Sequence, residues 1–246
     1  MSRFERAVLR VLRAPDHWIT VQGAADVTPN YRRVRFHGPD LLAEHATPPG
    51  FWLRLWFPSG GEEYQRGYTV TDVDRENGEF SVEFVLHDGG SLASDWARAA
   101  EKGDRLKATV YPGKSFSVPD PAPAGYLLVG DPASLPAIND ILRALPERTR
   151  ARVLLQRRHV EDMDLPTAVR EGDELTWVVE EDGLPKAVEA LKGELDGWRA
   201  WVATDVGTTK RVRTLLRDTC GLPKEAVTAR GYWIKGRSMG GAPKRD

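Results

Sequence analysis

Pro119-Asp120-Pro121-Ala122-Pro123-Ala124-Gly125-Tyr126-Leu127-Leu128-Val129 is where this chain changes character. Three prolines in five residues remove backbone donors and cannot continue a sheet, so residues 119–125 are the expected linker. Directly after them, Tyr126 to Val129 reads as a continuous apolar strand. Upstream, Tyr31-Arg32-Arg33-Val34-Arg35-Phe36 and Phe80-Ser81-Val82-Glu83-Phe84 alternate apolar and polar residues instead. That is the period of a strand with one buried face.

Working outward, six strands are expected before the linker: Ile19 to Val27, Tyr31 to His37, Phe51 to Phe57, Tyr64 to Val73, Glu79 to Leu86 and Leu106 to Tyr111. Thr28-Pro29-Asn30, Ser59-Gly60-Gly61 and Glu76-Asn77-Gly78 supply turns between them, and one helix interrupts them from Ser91 to Ala100. Six short antiparallel strands suggest a closed barrel, assigned to residues 1–118. After the linker, strands at Arg152 to Gln156, Leu175 to Val179 and Trp201 to Ala203 alternate with helices at Leu135 to Leu145, Leu184 to Leu191 and Thr209 to Asp218. Such alternation predicts a parallel-sheet α/β domain of nucleotide-binding type over residues 126–246.

Composition narrows the function. A chain of 246 residues fits one large domain or two ordinary ones. A formal net charge of −1 gives no electrostatic case for nucleic acid. No apolar run suffices to cross a bilayer, and the N-terminus lacks the apolar core of a secretory signal. The expectation is a cytoplasmic, soluble monomer without stable membrane insertion. Cys220 is the single cysteine, so neither an intrachain disulfide nor a cysteine-rich metal site can form. The five histidines form no close pair along the sequence, so no metal ligands are expected. Arg3, Arg6, Arg10 and Arg13 recur at helical spacing; the segment Ser2 to Arg13 reads as a short helix with a solvated basic face, with a membrane-surface helix as the alternative.

Four segments carry candidate chemistry. In Arg66-Gly67-Tyr68-Thr69, strand alternation puts Arg66 and Tyr68 on one face and Thr69 on the other. A cation for phosphate, an aromatic ring and a small hydroxyl suit a flavin dinucleotide, and an ordinary edge strand is the alternative. In His87-Asp88-Gly89-Gly90-Ser91-Leu92-Ala93-Ser94, a strand ends, glycines turn and a helix begins; its free amides suit a pyrophosphate. Ser91 is a candidate cap and Ser94 a candidate phosphate ligand. Gly130-Asp131 through Leu135-Pro136 joins the first α/β strand to its helix, where ligands dock in such sheets. It is not a Gly-x-Gly-x-x-Gly loop. Finally, Gly231-Tyr232-Trp233-Ile234-Lys235-Gly236-Arg237 sets neighbouring aromatics and cations between glycines, fit for a flat ring or for a core-closing strand.

Taken in order, Arg66-x-Tyr68-Thr69, Phe84-Val85-Leu86-His87 with Gly90-Ser91-Leu92-Ala93-Ser94-x-Trp96-Ala97, Gly103-Asp104, Gly130-Asp131-x-x-x-Leu135-Pro136-Ala137-Ile138 and Gly231-Tyr232-Trp233-x-x-Gly236 resemble the siderophore-interacting protein family, within the ferredoxin–NADP reductase superfamily. The resemblance implies an FAD-binding barrel, an NAD(P)H-type domain and reduction of a ferric siderophore, with a ferredoxin as the alternative electron donor. It implies flavin contacts at Arg66, Tyr68 and Thr69, and a pyrophosphate lining of His87, Gly90, Ser91, Ala93 and Ser94. Gly130, Asp131, Leu135 and Pro136 would face the nicotinamide cofactor, and Tyr232 and Trp233 would lie near either ring. Lys235 and Arg237 are candidates for attracting an anionic chelate.

The chain departs from the family pattern at four places: Thr71 replaces a usual cation, Gly90-Ser91-Leu92-Ala93-Ser94 stands for the usual Gly-Pro-Ala-Ser with one extra bulky residue, Thr204-Asp205 replaces Gly-Glu, and Gln156-Arg157-Arg158-His159 replaces an acidic-hydrophobic stretch. Basic residues at the last would suit a 2′-phosphate, and a solvated turn is the alternative. The departures keep open a flavoprotein of the same fold acting on an organic metabolite, or a ligand carrier without redox chemistry.

Overall fold

The computed structural model describes residues 15–87, 91–111, 113 and 115–236. The expected helix from Ser2 to Arg13, together with Gly90 and Arg237, lies outside the described residues. Two compact units divide between Ser115 and Phe116.

The first unit is a closed antiparallel barrel of β1 (Asp16–Thr28), β2 (Tyr31–His37), β3 (Trp52–Ser59), β4 (Glu62–Asp74), β5 (Glu79–Val85) and β6 (Arg105–Thr109). Around the barrel the order is β1-β2-β5-β4-β3-β6. The alternation in β2 sets the register, because a one-residue slip would put Arg33 and Arg35 into the core. Val34 and Phe36 are buried inside, against Val82 and Phe80 of β5. On the outer face Arg33 Nε meets Glu83 at 3.0 Å and Arg35 Nε meets Glu79 at 2.6 Å. Two helices attach: α1 (Pro39–Glu44), which the sequence pattern did not reveal, and α2 (Leu92–Ala99). Trp96 of α2 stacks 6.2 Å from Phe36 and meets Phe57 edge-on at 5.6 Å.

The second unit is a five-stranded sheet with every pairing parallel. Its strands are β7 (Gly125–Gly130), β8 (Arg150–Gln156), β9 (Glu174–Val178), β10 (Trp198–Asp205) and β11 (Val227–Trp233), in the order β11-β10-β7-β8-β9. Helices α3 (Leu135–Ala144), α4 (Gly183–Glu189) and α5 (Val206–Asp218) connect them. All six residues of β7 are buried, which explains its unbroken apolar run. β11 is the strand that the Gly231-Tyr232-Trp233 segment left open; its exposed and half-buried residues gave no strong strand signal. The chain leaves β7 toward β8 and β9, then returns to β10 and β11. Strand order therefore reverses between β7 and β10, and ligands of open α/β sheets dock at such a point.

Candidate functional site

In the barrel, β4 carries the first constellation. Directly opposed residues share a face, so the register of β3 with β4 sorts the segment. Arg66 opposes Leu55 and Tyr68 opposes Leu53, both core residues. Thr69 opposes Trp52 on the other face. Tyr68 packs 4.5 Å from Phe84 and 6.1 Å from Phe57, and burial pushes its hydroxyl pKa well above the usual value, with the Arg66 charge opposing. The Arg66 guanidinium donates to the Gln65 carbonyl at 2.7 Å, and desolvation lowers its pKa. Thr69 is buried and its Oγ1 has no hydrogen-bond partner.

An orphaned buried hydroxyl costs free energy unless something completes it. A partly desolvated guanidinium with donors to spare suits a phosphate. Both observations fit a flavin dinucleotide, whose ring and diphosphate bring acceptors. Sequence reasoning missed a neighbour of this segment: the Trp52 and Tyr111 rings lie 6.4 Å apart and nearly parallel, with the Arg54 guanidinium 5.6 Å and 5.1 Å from their centroids. A Trp-x-Arg strand paired with Gly67 was the available signal.

Serines hold the start of α2 against the end of β5. Ser91 caps the helix, its Oγ accepting from the Ser94 amide at 3.4 Å. The Ser94 hydroxyl accepts from the His87 amide at 3.2 Å and from Ser91 Oγ at 3.0 Å, and donates to the Val85 carbonyl at 3.3 Å. Ser94 thus ties the end of β5 to the helix start, with its hydroxyl satisfied inside the protein. Ala93 is buried beside it, His87 is exposed, and the Arg98 side chain donates to the His87 carbonyl at 3.1 Å. Thr71, on β4, is buried with its hydroxyl on the Ser81 carbonyl at 3.4 Å.

In the second unit, the carboxyl ends of β7, β10 and β11 converge on Asp131. Its Oδ2 accepts from Trp233 Nε1 at 2.7 Å and Thr204 Oγ1 at 2.9 Å; its Oδ1 accepts from the amides of Ala133 at 3.0 Å and Ser134 at 3.3 Å. Burial drives the Asp131 pKa upward, opposed by the Trp233 donor, the Arg158 charge, the Thr204 hydroxyl and the Ala133 amide. Arg158, following β8, lies 4.1 Å from the centre of the Trp233 ring. Asp131 is therefore held as part of a polar lock, and the Trp233 indole lies at the point where strand order reverses.

The departures at Thr204-Asp205 have structural roles here. Thr204 completes Asp131, and Asp205 caps α5 by accepting from the Gly207 and Thr208 amides at 2.8 Å and 3.1 Å. Gly130 has no room for a side chain, since a Cβ would stand 2.1 Å from Ser134 Oγ and 2.7 Å from Ile138 Cδ1. Leu135 and Pro136 are buried in the first turn of α3. Tyr232 meets Trp201 edge-on at 6.1 Å. Lys235 is exposed and paired with Glu181.

The barrel with its buried hydroxyl and cation, followed by a parallel sheet open at its switch point, defines the ferredoxin–NADP reductase fold class. A ferredoxin–NADP+ reductase from Neisseria gonorrhoeae shares it, with a TM-score of 0.68 over 90% of this chain and 100% of that one at 14% identity. The chain belongs to the siderophore-interacting protein family. Residues 62–115 match the family model for the siderophore-interacting FAD-binding domain, and residues 123–236 match that for siderophore-interacting protein. The siderophore-interacting protein SipS from Aeromonas hydrophila is similar in structure, with a TM-score of 0.80 and 25% identity over 92% of this chain and 94% of that one. Among curated relatives, the mycobactin import ATP-binding/permease protein IrtA of Mycolicibacterium smegmatis is 39% identical over 95% of this chain. This chain spans only 27% of that relative. The ferric vibriobactin reductase ViuB of Vibrio cholerae is 24% identical over 86% of this chain and 87% of its own length. No helix among the described residues is long and apolar enough to cross a membrane.

Proposed function

We propose that this protein is an FAD-dependent reductase that takes electrons from NAD(P)H and reduces a ferric siderophore, releasing Fe(II). The observation that carries the reading is the Arg66–Thr69 segment, with a desolvated cation and an orphaned buried hydroxyl inside the residues that match the FAD-binding domain. Relatives named for mycobactin import and for ferric vibriobactin reduction support a siderophore as the substrate class.

Bound FAD supplies the conversion between a two-electron hydride donor and a one-electron ferric acceptor. The protein's part is binding and orientation. Arg66 would pair with the diphosphate, the unpartnered Thr69 hydroxyl would donate to an acceptor of the bound FAD, and Tyr68 would offer an apolar face. The amides at the start of α2, positioned by Ser91 and Ser94, add donors to the diphosphate. The nicotinamide dinucleotide would dock at the switch point of the second unit, beside the Trp233 indole, where Gly130 lets α3 pack closely on the end of β7. Arg158, beside that ring, meets its phosphates. Hard oxygen donors hold Fe(III) far better than Fe(II), so reduction alone loosens the chelate and no protein metal ligand enters the step. Lys235 shares a surface pair worth little in water, so its charge remains available to an anionic chelate.

The test is anaerobic. Yellow holoprotein is mixed with NADH or NADPH, then with a ferric siderophore, while flavin absorbance and capture of Fe(II) by a chromogenic chelator are followed. Bleaching by a nicotinamide cofactor, then recovery with Fe(II) appearing, is the expected result. Absence of FAD uptake, or a bleached flavin that ferric chelate does not reoxidise, refutes it. Arg66→Ala is expected to weaken FAD binding roughly ten- to a hundredfold, the loss of about 1.5–3 kcal/mol from a charge-assisted contact.

A further inference from the structure

We propose that His17, Glu44 and His45 form a binding site for a divalent transition-metal ion of the zinc type, with water completing its coordination. His17 lies on β1 and is 6% exposed. Glu44 ends α1 and His45 is its C-cap. The two Nε2 atoms stand 3.3 Å apart with the rings crossed at 85°. Two imidazole nitrogens on one tetrahedral zinc, each at about 2.0–2.1 Å, sit roughly 3.3–3.4 Å from one another. The third donor is on the same spot: Glu44 Oε2 is 3.8 Å from His17 Nε2, and the three ligand atoms all lie within 4.8 Å of one another.

Donor chemistry selects the ion. Two imidazoles and one carboxylate suit zinc or ferrous iron, whereas calcium and magnesium want an all-oxygen shell. The scaffold is braced from outside. Arg75, in the β4–β5 turn, donates to the carbonyls of Leu42 and His45 and to Thr47 Oγ1, the latter two at 2.9 Å and 3.0 Å. That clamp fixes the last turn of α1 and so holds Glu44 and His45 toward β1. A bare hydrogen bond between the imidazoles accounts less well for the arrangement. Its 3.3 Å length is beyond the usual N–H range, and it assigns nothing to the carboxylate. Its residues come from β1 and α1 and include none of the Arg66–Thr69 segment of β4. It is silent in the sequence because His17 and His45 are 28 residues apart.

The experiment uses the full chain without an affinity tag, stripped with a chelator and desalted. Zn2+ is titrated by calorimetry, Co2+ by visible absorption, and Mg2+ serves as the control ion. One equivalent of Zn2+ bound, Co2+ bands of low-coordinate character and no response to Mg2+ are expected. His17→Asn and His45→Gln should abolish Zn2+ binding. Glu44→Gln should weaken it by more than the roughly ten- to hundredfold typical of an outer-shell partner. Glu44 is exposed, so that variant folds and stays interpretable even if the His17 variant does not. No Zn2+ uptake, uptake matched by Mg2+, or uptake untouched by both His45→Gln and Glu44→Gln overturns the proposal.

Discussion

Trp233→Phe probes the polar lock around Asp131. The indole Nε1 donates to Asp131 Oδ2 at 2.7 Å, and Phe keeps the ring under Arg158 while deleting that donor. A hydrogen bond to a charged group contributes about 1.5–3 kcal/mol, against about 0.5–1.5 kcal/mol for a neutral pair. The cost of the substitution should therefore depend on the charge of Asp131. Burial already holds its folded pKa above the ordinary carboxylate value, and the lost donor raises it further.

The sign follows from linkage. A carboxyl group whose folded pKa is raised binds protons better folded than unfolded, so its contribution to stability declines as pH climbs from the unfolded pKa through the folded one. In Trp233→Phe that window widens upward. The variant should lose about 1.5–3 kcal/mol at a pH above the folded pKa, where Asp131 is charged, and only about 0.5–1.5 kcal/mol at a pH below both pKa values, near pH 3 if the fold persists there. Native-state hydrogen exchange of the β7 and β10 amides reads the second unit by itself. A penalty that stays constant across the range, or that grows on acidification, would refute the reasoning.

Three further outcomes are expected. Thr69→Val deletes the orphaned Oγ1 at similar volume, so the FAD-free protein should gain up to about 1–2 kcal/mol by chemical denaturation while FAD affinity drops roughly five- to tenfold; a destabilised apoprotein contradicts the assignment. Asp205→Ala removes the α5 cap and should cost about 0.5–2 kcal/mol, seen as faster exchange at Gly207 and Thr208, with Asp205→Asn recovering most of it. Gly130→Ala forces its new methyl against Ser134 Oγ and Ile138, and should destabilise the second unit by about 1–3 kcal/mol or more; wild-type exchange rates in β7 would dismiss that crowding.

How much was legible depended on whether a residue's role was local. Alternation in β2 and β5 is a property of neighbouring residues, and both strands ran close to where the pattern put them. α1 was missed because six residues carry too little periodicity to separate a helix from a turn. β11 was ambiguous because half-buried positions carry little apolar contrast. Arg66, Tyr68 and Thr69 stood out by residue type alone. What Asp131 does required Thr204 from β10, Trp233 from β11 and the charge of Arg158 from the turn after β8. Ser94 looked like a phosphate ligand by sequence, while its hydroxyl is spent on Val85, His87 and Ser91.

By itself the sequence determined two units, a barrel and a parallel sheet, and the order of the motifs that place the chain in its family, because side-chain period and backbone-restricting residues act over a few positions. Only the tertiary structure decided that the Thr69 hydroxyl is buried without a partner, how the buried Asp131 carboxylate is held, and that two histidines and a glutamate share one point on the barrel. Those are outcomes of strand register and closure, which bring residues tens of positions apart to within a hydrogen bond of one another.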